Sequence, residues 1–277
     1  MDGMMASPFK QFEYNGWQQS ASAYHDRFTP LTAQAISSTL RISGVKAGMD
    51  LVDLACGPGL LSSAAQQLGA NVLGVDFSDA MVALAKASFP DVDFQKSDVE
   101  QLALADDSFD AAIMNFGLLH LGAPDLALKE VRRILKPGGR FVFTVWDQPT
   151  NAKGFQMVLE AIKGHGAMDV DLPDGPPFFL FSDQQHTFHA LRDAGFCEWQ
   201  VSVEPLRWRL NTPKDLYDAF YFGTARTGAL LRAQNPSSQK AIKQKIMQDA
   251  EAKFGSSEDK AIEVPMPCLV YRACVGS

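Results

Sequence analysis

Leu51-Val52-Asp53-Leu54-Ala55-Cys56-Gly57-Pro58-Gly59-Leu60-Leu61-Ser62-Ser63 is the stretch that decides the fold of this 277-residue chain. Leu51, Val52 and Leu54 form a short apolar strand with Asp53 near its end, and a tight turn follows at Cys56-Gly57-Pro58-Gly59. The turn opens into residues 60–68, where Leu61, Ala64, Ala65 and Leu68 recur on one helical face. Glycine carries no Cβ, so a strand, a glycine turn and a helix start together let a ligand approach the backbone closely. In an open α/β sheet this place, beyond the carboxyl ends of the strands, receives nucleotide-like ligands.

The choice of nucleotide follows from what surrounds the turn. A dinucleotide fingerprint continues to a third glycine, but this chain reads Gly57-x-Gly59-x-x-Ser62, and no P-loop lysine follows. A second apolar strand over 71–75 ends at Asp76, whose carboxylate can accept from two ribose hydroxyls; Rossmann dehydrogenases share that feature. A third strand over 92–95 leads to Ser97, Asp98 and Val99. Asp106-Asp107-Ser108, a fourth strand over 109–115, a helix over 124–135 and Lys136-Pro137-Gly138-Gly139 then lead into a fifth strand over 140–146.

Taken together, these landmarks resemble class I S-adenosylmethionine-dependent methyltransferases, in the small-molecule branch typified by quinone-biosynthesis enzymes. The resemblance covers residues 45–147. It implies an α/β fold: a Rossmann-like, doubly wound, mostly parallel seven-stranded sheet with an antiparallel last strand, plus a helical cap from insertions. It implies that Asp53, Cys56, Gly57 and Gly59 lie beside the methionine part of the cofactor. Asp76 would hold the ribose, with Phe77 and Met81 near the adenine, while Asp98 would bond its exocyclic amine with Val99 against the ring. Asn115 and Phe116 would lie near the sulfonium. Cys56 is a thiol, yet in this motif the position is normally a small packing residue.

The remaining chain divides by turn and helix signals. Residues 1–44 are expected as an N-terminal helical lid, 45–147 as the cofactor-binding core and 148–181 as a cap insertion. Residues 182–210 read as a core helix and strand, 211–256 as a second helical cap insertion and 257–277 as the closing strand. Ser182 with Gln185 reads as a capping box that opens a helix ending near Gly195. Residues 196–209 read as one strand and 262–275 as another, interrupted by Pro265 and Pro267, which suit a sheet edge. Ile242, Ile246, Ala250 and Phe254 recur at every fourth position, so the lysine-rich stretch over 240–253 reads as a surface helix. In the lid, Tyr14, Trp17, Tyr24 and His25 are candidates to cover the substrate, or simply to anchor the extension. Phe178, Phe179, Tyr217 and Tyr221 are candidate substrate contacts from the cap.

Methyl transfer from a sulfonium is an in-line displacement, so the protein supplies alignment and a water-poor site. A base is needed only when the acceptor must lose a proton. His120, just beyond the fourth strand, is the candidate, and its alternative role is to orient the turn toward Pro124. A net charge of −7 and a pI of about 5.2 argue against a nucleic-acid partner, which would call for a basic surface. Four scattered cysteines show neither metal-ligand spacing nor a disulfide framework, so no metal is expected and a reducing compartment is. No run approaches 18 apolar residues and no leader pattern opens the chain, so no membrane span and a cytoplasmic protein are expected. The expected activity is methylation of a small, apolar or aromatic acceptor, with oxygen ahead of nitrogen or carbon. The rival is a non-catalytic cofactor-binding scaffold, and oligomeric state stays open.

Overall fold

The computed structural model describes residues 7–255 and 261–276. Its frame is a seven-stranded sheet in the order β3-β2-β1-β4-β5-β9-β6. The parallel part comprises β1 (Asp50–Leu54), β2 (Asn71–Asp76), β3 (Asp93–Lys96), β4 (Phe109–Asn115) and β5 (Leu135–Trp146). Leu51, Val52 and Leu54 of β1 and Ala111 to Met114 of β4 are wholly buried, as central parallel strands with both faces covered must be. Strand order reverses on the two sides of β1, and that switch point opens a crevice at the carboxyl ends of β1 and β4. Lys136-Pro137-Gly138-Gly139 forms a bulge: Phe109 pairs with Leu135, but Ala111 already pairs with Arg140. Gly138 takes φ +74 there.

Prolines reshape the carboxyl-terminal strands. The strand expected over 196–209 is divided at Pro205 into β6 (Glu198–Glu204) and β7 (Arg207–Leu210). The strand expected over 262–275 is divided into β8 (Ile262–Pro265) and β9 (Cys268–Cys274). β7 and β8 pair as a separate antiparallel ribbon. β9 pairs antiparallel with both β5 and β6, so it is interior and β6 is the edge, contrary to the edge expected for the proline-bearing segment. Proline cannot donate to a ladder, and here Pro265 and Pro267 flank the point where the chain passes from one sheet to the other.

The helices are α1 (Pro8–Arg27), α2 (Thr29–Thr32), α3 (Ile36–Ser43), α4 (Leu60–Gln67), α5 (Asp79–Ser88) and α6 (Pro124–Ile134). After the sheet's fifth strand come α7 (Lys153–His165), α8 (Gln184–Asp193), α9 (Pro213–Gly223), α10 (Arg226–Arg232) and α11 (Pro236–Phe254). The cap of α8 is Asp183, not Ser182: its Oδ1 accepts from Gln185 N at 2.9 Å and His186 N at 3.2 Å. Ser182 is committed elsewhere, its hydroxyl donating to the Trp146 carbonyl at 2.7 Å. In α11, Ile242, Ile246 and Ala250 are wholly buried, and the helix packs on α7 and α9.

The described part of the N-terminal segment opens with the long helix α1. Ser7 caps α1 by accepting from Lys10 N at 3.2 Å, with Pro8 in the first turn. α1 packs on α5, α9 and α10. Gly16 makes the last approach close, since a Cβ there would lie 2.7 Å from the Ala225 Cβ.

Candidate functional site

A cavity lies at the carboxyl ends of β1, β2 and β4, roofed by side chains of α1 and α10. Asp53, Cys56 and Gly57 line it from the β1 turn, Asp76, Phe77 and Met81 from the end of β2, and Asp98 and Val99 from the loop after β3. Asn115 and Phe116 complete this wall from the end of β4.

The two turn glycines have different duties. Gly57 takes φ +53, and a Cβ built on it meets nothing within 4 Å, so its backbone faces open cavity. Gly59, at φ +84, does not line the cavity: its Cβ would sit 2.6 Å from Phe94 Cζ, so it serves the start of α4. Backbone strain gathers at the same edge. Ala55 and Phe116, at the ends of β1 and β4, take φ +52 and +57, conformations uncommon outside glycine. Phe116 is held there by its N–H on Thr144 Oγ1 at 2.9 Å and by stacking on Trp146 at 4.1 Å. Asn115 accepts from the same Thr144 hydroxyl at 2.7 Å and donates to the Thr32 carbonyl at 3.2 Å.

The carboxylates are unusual. Asp76 Oδ2 accepts from Gly57 N at 2.9 Å and Oδ1 from Ser78 N at 2.9 Å. Burial pushes its pKa up to about 6 against the pull of those backbone donors. Burial pushes Asp53 up to about 7; the Ser62 hydroxyl, donating at 2.5 Å, opposes the shift, and the nearby Asp76 charge adds to it. Burial, with Asp76 and Asp53 alongside, raises the Cys56 thiol well above its ordinary range, so it packs rather than reacts. Asp98 Oδ1 accepts from Glu100 N at 3.0 Å, while its Oδ2 meets Lys10 Nζ, which also binds Glu100 at 2.7 Å. A nucleoside fits this set: an open backbone at Gly57, a carboxylate on the cavity wall at Asp76 and an acceptor at Asp98, separated by apolar Phe77, Met81 and Val99.

His120 also lines the cavity, from the loop after β4. Its Nδ1 is 3.1 Å from Oε2 of Glu13, a wholly buried carboxylate on α1. Trp17 Nε1 donates to the same oxygen at 3.1 Å, and Arg226 Nε lies 3.6 Å from Oε1. Arg226 further donates to the carbonyls of Leu119 at 3.2 Å and Pro176 at 2.9 Å, between the rings of Phe9 and Phe178. Lys10, Glu13 and Arg226 escape the sequence reading. Only Glu13 leaves a trace there, an acid at the centre of the stripe Phe9, Glu13, Trp17 that four-residue spacing puts on one face.

Of the expected substrate contacts, Trp17, Tyr24 and Phe178 line the cavity. Tyr24 is stacked on Phe28, with its hydroxyl 3.4 Å from that of Thr32. Tyr14, His25, Phe179, Tyr217 and Tyr221 do not line it. Tyr14 points outward, donating to Asp79 Oδ2 at 2.6 Å. Phe179 packs on Phe155 and Phe178, behind the wall. Tyr217 and Tyr221 stack on each other along α9, covered by Lys243 and Arg232 respectively. Four-residue spacing joins these tyrosines to each other and turns both away from the site.

Residues 52–143 match the family model described as a methyltransferase domain. Residues 52–143 form a methyltransferase domain of the S-adenosylmethionine-dependent kind. The chain is 32% identical over 163 residues to a demethylmenaquinone methyltransferase of Paenarthrobacter aurescens, covering 56% of this chain and 64% of that protein. It is also 38% identical over 111 residues to a ubiquinone/menaquinone biosynthesis C-methyltransferase of Rubrivivax gelatinosus, 40% of this chain and 44% of that one. The chain therefore spans less than two thirds of the length of these curated relatives. Among solved structures, the YcgJ protein of Bacillus subtilis superposes with a TM-score of 0.57 at 17% identity, over 88% of this chain and 99% of that one, and shares the fold.

Proposed function

We propose that the protein methylates a small, largely apolar aromatic molecule that bears an ionisable hydroxyl, with the hydroxyl oxygen as acceptor. The observation that carries this reading is His120: an imidazole on the cavity wall, between the carboxylates expected to hold the cofactor and the aromatic roof. S-adenosylmethionine, when bound, supplies an electrophilic methyl group. Asp76 and Asp98 are the residues to hold its ribose and its adenine amine, with Gly57 giving room at the backbone and Asn115 and Phe116 at the methyl end. The walls contributed by Trp17, Tyr24, Phe116, Trp146, Phe155 and Phe178 keep water out and favour a transition state in which charge is dispersed.

A second reading, transfer to a ring carbon, is favoured by the relatives' names. Removing the proton of an aromatic hydroxyl also enriches the adjacent ring carbon, so the same base serves both outcomes. The first test is calorimetric titration with S-adenosylmethionine, S-adenosylhomocysteine and NAD. Micromolar binding of the first two alone supports the reading, and binding of NAD alone overturns it. Incubation with labelled S-adenosylmethionine and 1,4-dihydroxynaphthalene, with NMR of the product, then separates oxygen from carbon. Cofactor binding without transfer to any of a panel of phenols and quinols would favour the scaffold rival.

A further inference from the structure

We propose that Glu13, delivered by the lid helix α1, is a positioning residue that fixes the tautomer and orientation of His120 as the base. This deepens the functional reading above and rests on it. Glu13 Oε2 takes the Trp17 Nε1–H and stands 3.1 Å from His120 Nδ1. A carboxylate donates nothing, so in the neutral ring Nδ1 carries the proton and Nε2 keeps its lone pair. Among the described residues no hydrogen-bond partner is found for Nε2, and the ring lines the cavity. Trp17 and Phe178 meet the imidazole edge to face, at 4.8 and 5.8 Å between centroids, and hold its plane.

Charged groups converge on the ring from three directions. Glu13 lies on α1, Asp76 interacts with it through space from the end of β2, and Arg226 of α10 stands behind Glu13. When the acceptor's O–H bond breaks, its proton passes to Nε2 and the oxygen keeps the electron pair for the methyl group. The imidazolium so formed faces the Glu13 carboxylate, as the triad logic of an oriented base requires. The proton leaves to solvent once the product departs. Because the orienting carboxylate sits on the lid, the base is complete only while α1 is seated, and Lys10, one turn earlier on the same helix, fastens that seat to Asp98 and Glu100.

The test uses the full chain labelled with 15N-histidine and saturated with S-adenosylhomocysteine, with His120 signals assigned by their loss in His120→Gln. Long-range 15N–1H spectra are expected to show Nδ1 protonated and Nε2 bare in the neutral ring. In Glu13→Gln the two tautomers mix, and kcat with 1,4-dihydroxynaphthalene falls by about tenfold or more while KM changes little. Glu13→Asp, which keeps the carboxylate, keeps the proton on Nδ1. A proton on Nε2 in the wild type, or an unaltered tautomer and kcat in Glu13→Gln, overturns the proposal. The wild-type tautomer is read without any variant, so poor folding of Glu13→Gln does not shield it. Failure of the cofactor to bind would sink the functional reading instead, and is seen separately by calorimetry.

Discussion

The N–H of Gly57 donates to the carboxylate of Asp76 across 2.9 Å, so the turn after β1 and the tip of β2 are one unit. The residue expected to hold the ribose thereby also shapes the loop that leaves room for the methionine part. If Asp76 holds the ribose, cofactor recognition and loop geometry are coupled through one carboxylate.

Replacing Asp76 with alanine removes both roles. S-adenosylhomocysteine binding is expected to weaken by about 1–3 kcal/mol, the cost of leaving charge-assisted partners unmet. Calorimetry measures it, and unchanged affinity would remove Asp76 from the ribose site.

The raised carboxyls predict how stability depends on pH. Asp53 and Asp76 titrate at about 7 and about 6 in the fold, above the 3.8 of a free aspartate. The stability they contribute is complete below about pH 3.8 and is lost as pH rises through about 6 and then about 7. The carboxyls held low by their partners, Asp50, Asp79 and Glu130, lose their contribution only on the acid side, near and below their free values of 3.8 to 4.5. The ligand-free protein is therefore expected to melt at a lower temperature at about pH 8 than at about pH 5.5. Asp53→Asn should flatten that slope in a calorimetric pH series; an opposite slope in the wild type would contradict the burial argument.

The two glycines of the turn should fail differently. Gly57→Val puts a side chain into open cavity, so cofactor binding is lost while stability falls only by the strain of a positive φ, about 1–2 kcal/mol. Gly59→Ala drives a Cβ against Phe94 and Ala85 as well, so stability falls further. Melting curves paired with S-adenosylhomocysteine titration distinguish the two; equal losses of stability would refute the division of labour.

Lys10→Met cuts the tie between α1 and the Asp98–Glu100 pair. Loss of charge-assisted contacts worth about 1.5–3 kcal/mol should speed release of S-adenosylhomocysteine by about tenfold or more. Stopped-flow tryptophan fluorescence is suited to this, since Trp17 and Trp146 both line the cavity. An unaltered release rate would mean that the lid is held elsewhere.

The strand-end wall of the cavity is legible in the sequence because it is written locally. Each of Asp53, Asp76, Asp98 and Asn115 sits at or just beyond the end of a short strand, and strand ends are what apolar runs and glycine turns reveal. The wall that faces α1 is written across the chain. Glu13 meets His120 over 107 positions and Lys10 meets Asp98 over 88, and no periodicity carries such pairings. Aromatic content misled for the same reason: Tyr217 and Tyr221 satisfy each other on one helix face, whereas Trp17 and Phe178 reach the cavity. Pro265 and Pro267 suit a sheet edge by residue type, while their effect in the fold is to move the chain between two sheets.

The absent side chain at Gly16 acts as a spacer of zero thickness. With Ala225 packed directly against α1 at Gly16, the height of the cavity roof is set at a helix crossing, outside the ring of residues that line the cavity. Thickening that crossing by one or two carbons would raise Trp17 and Glu13 together, widening the chamber and pulling the imidazole's support away in the same motion. With His120 as the proposed base, acceptor girth and catalytic competence would be tuned by one dimension, and a chain that shifts toward bulkier acceptors by this route would need a longer acid, or a different one, to keep that base aligned.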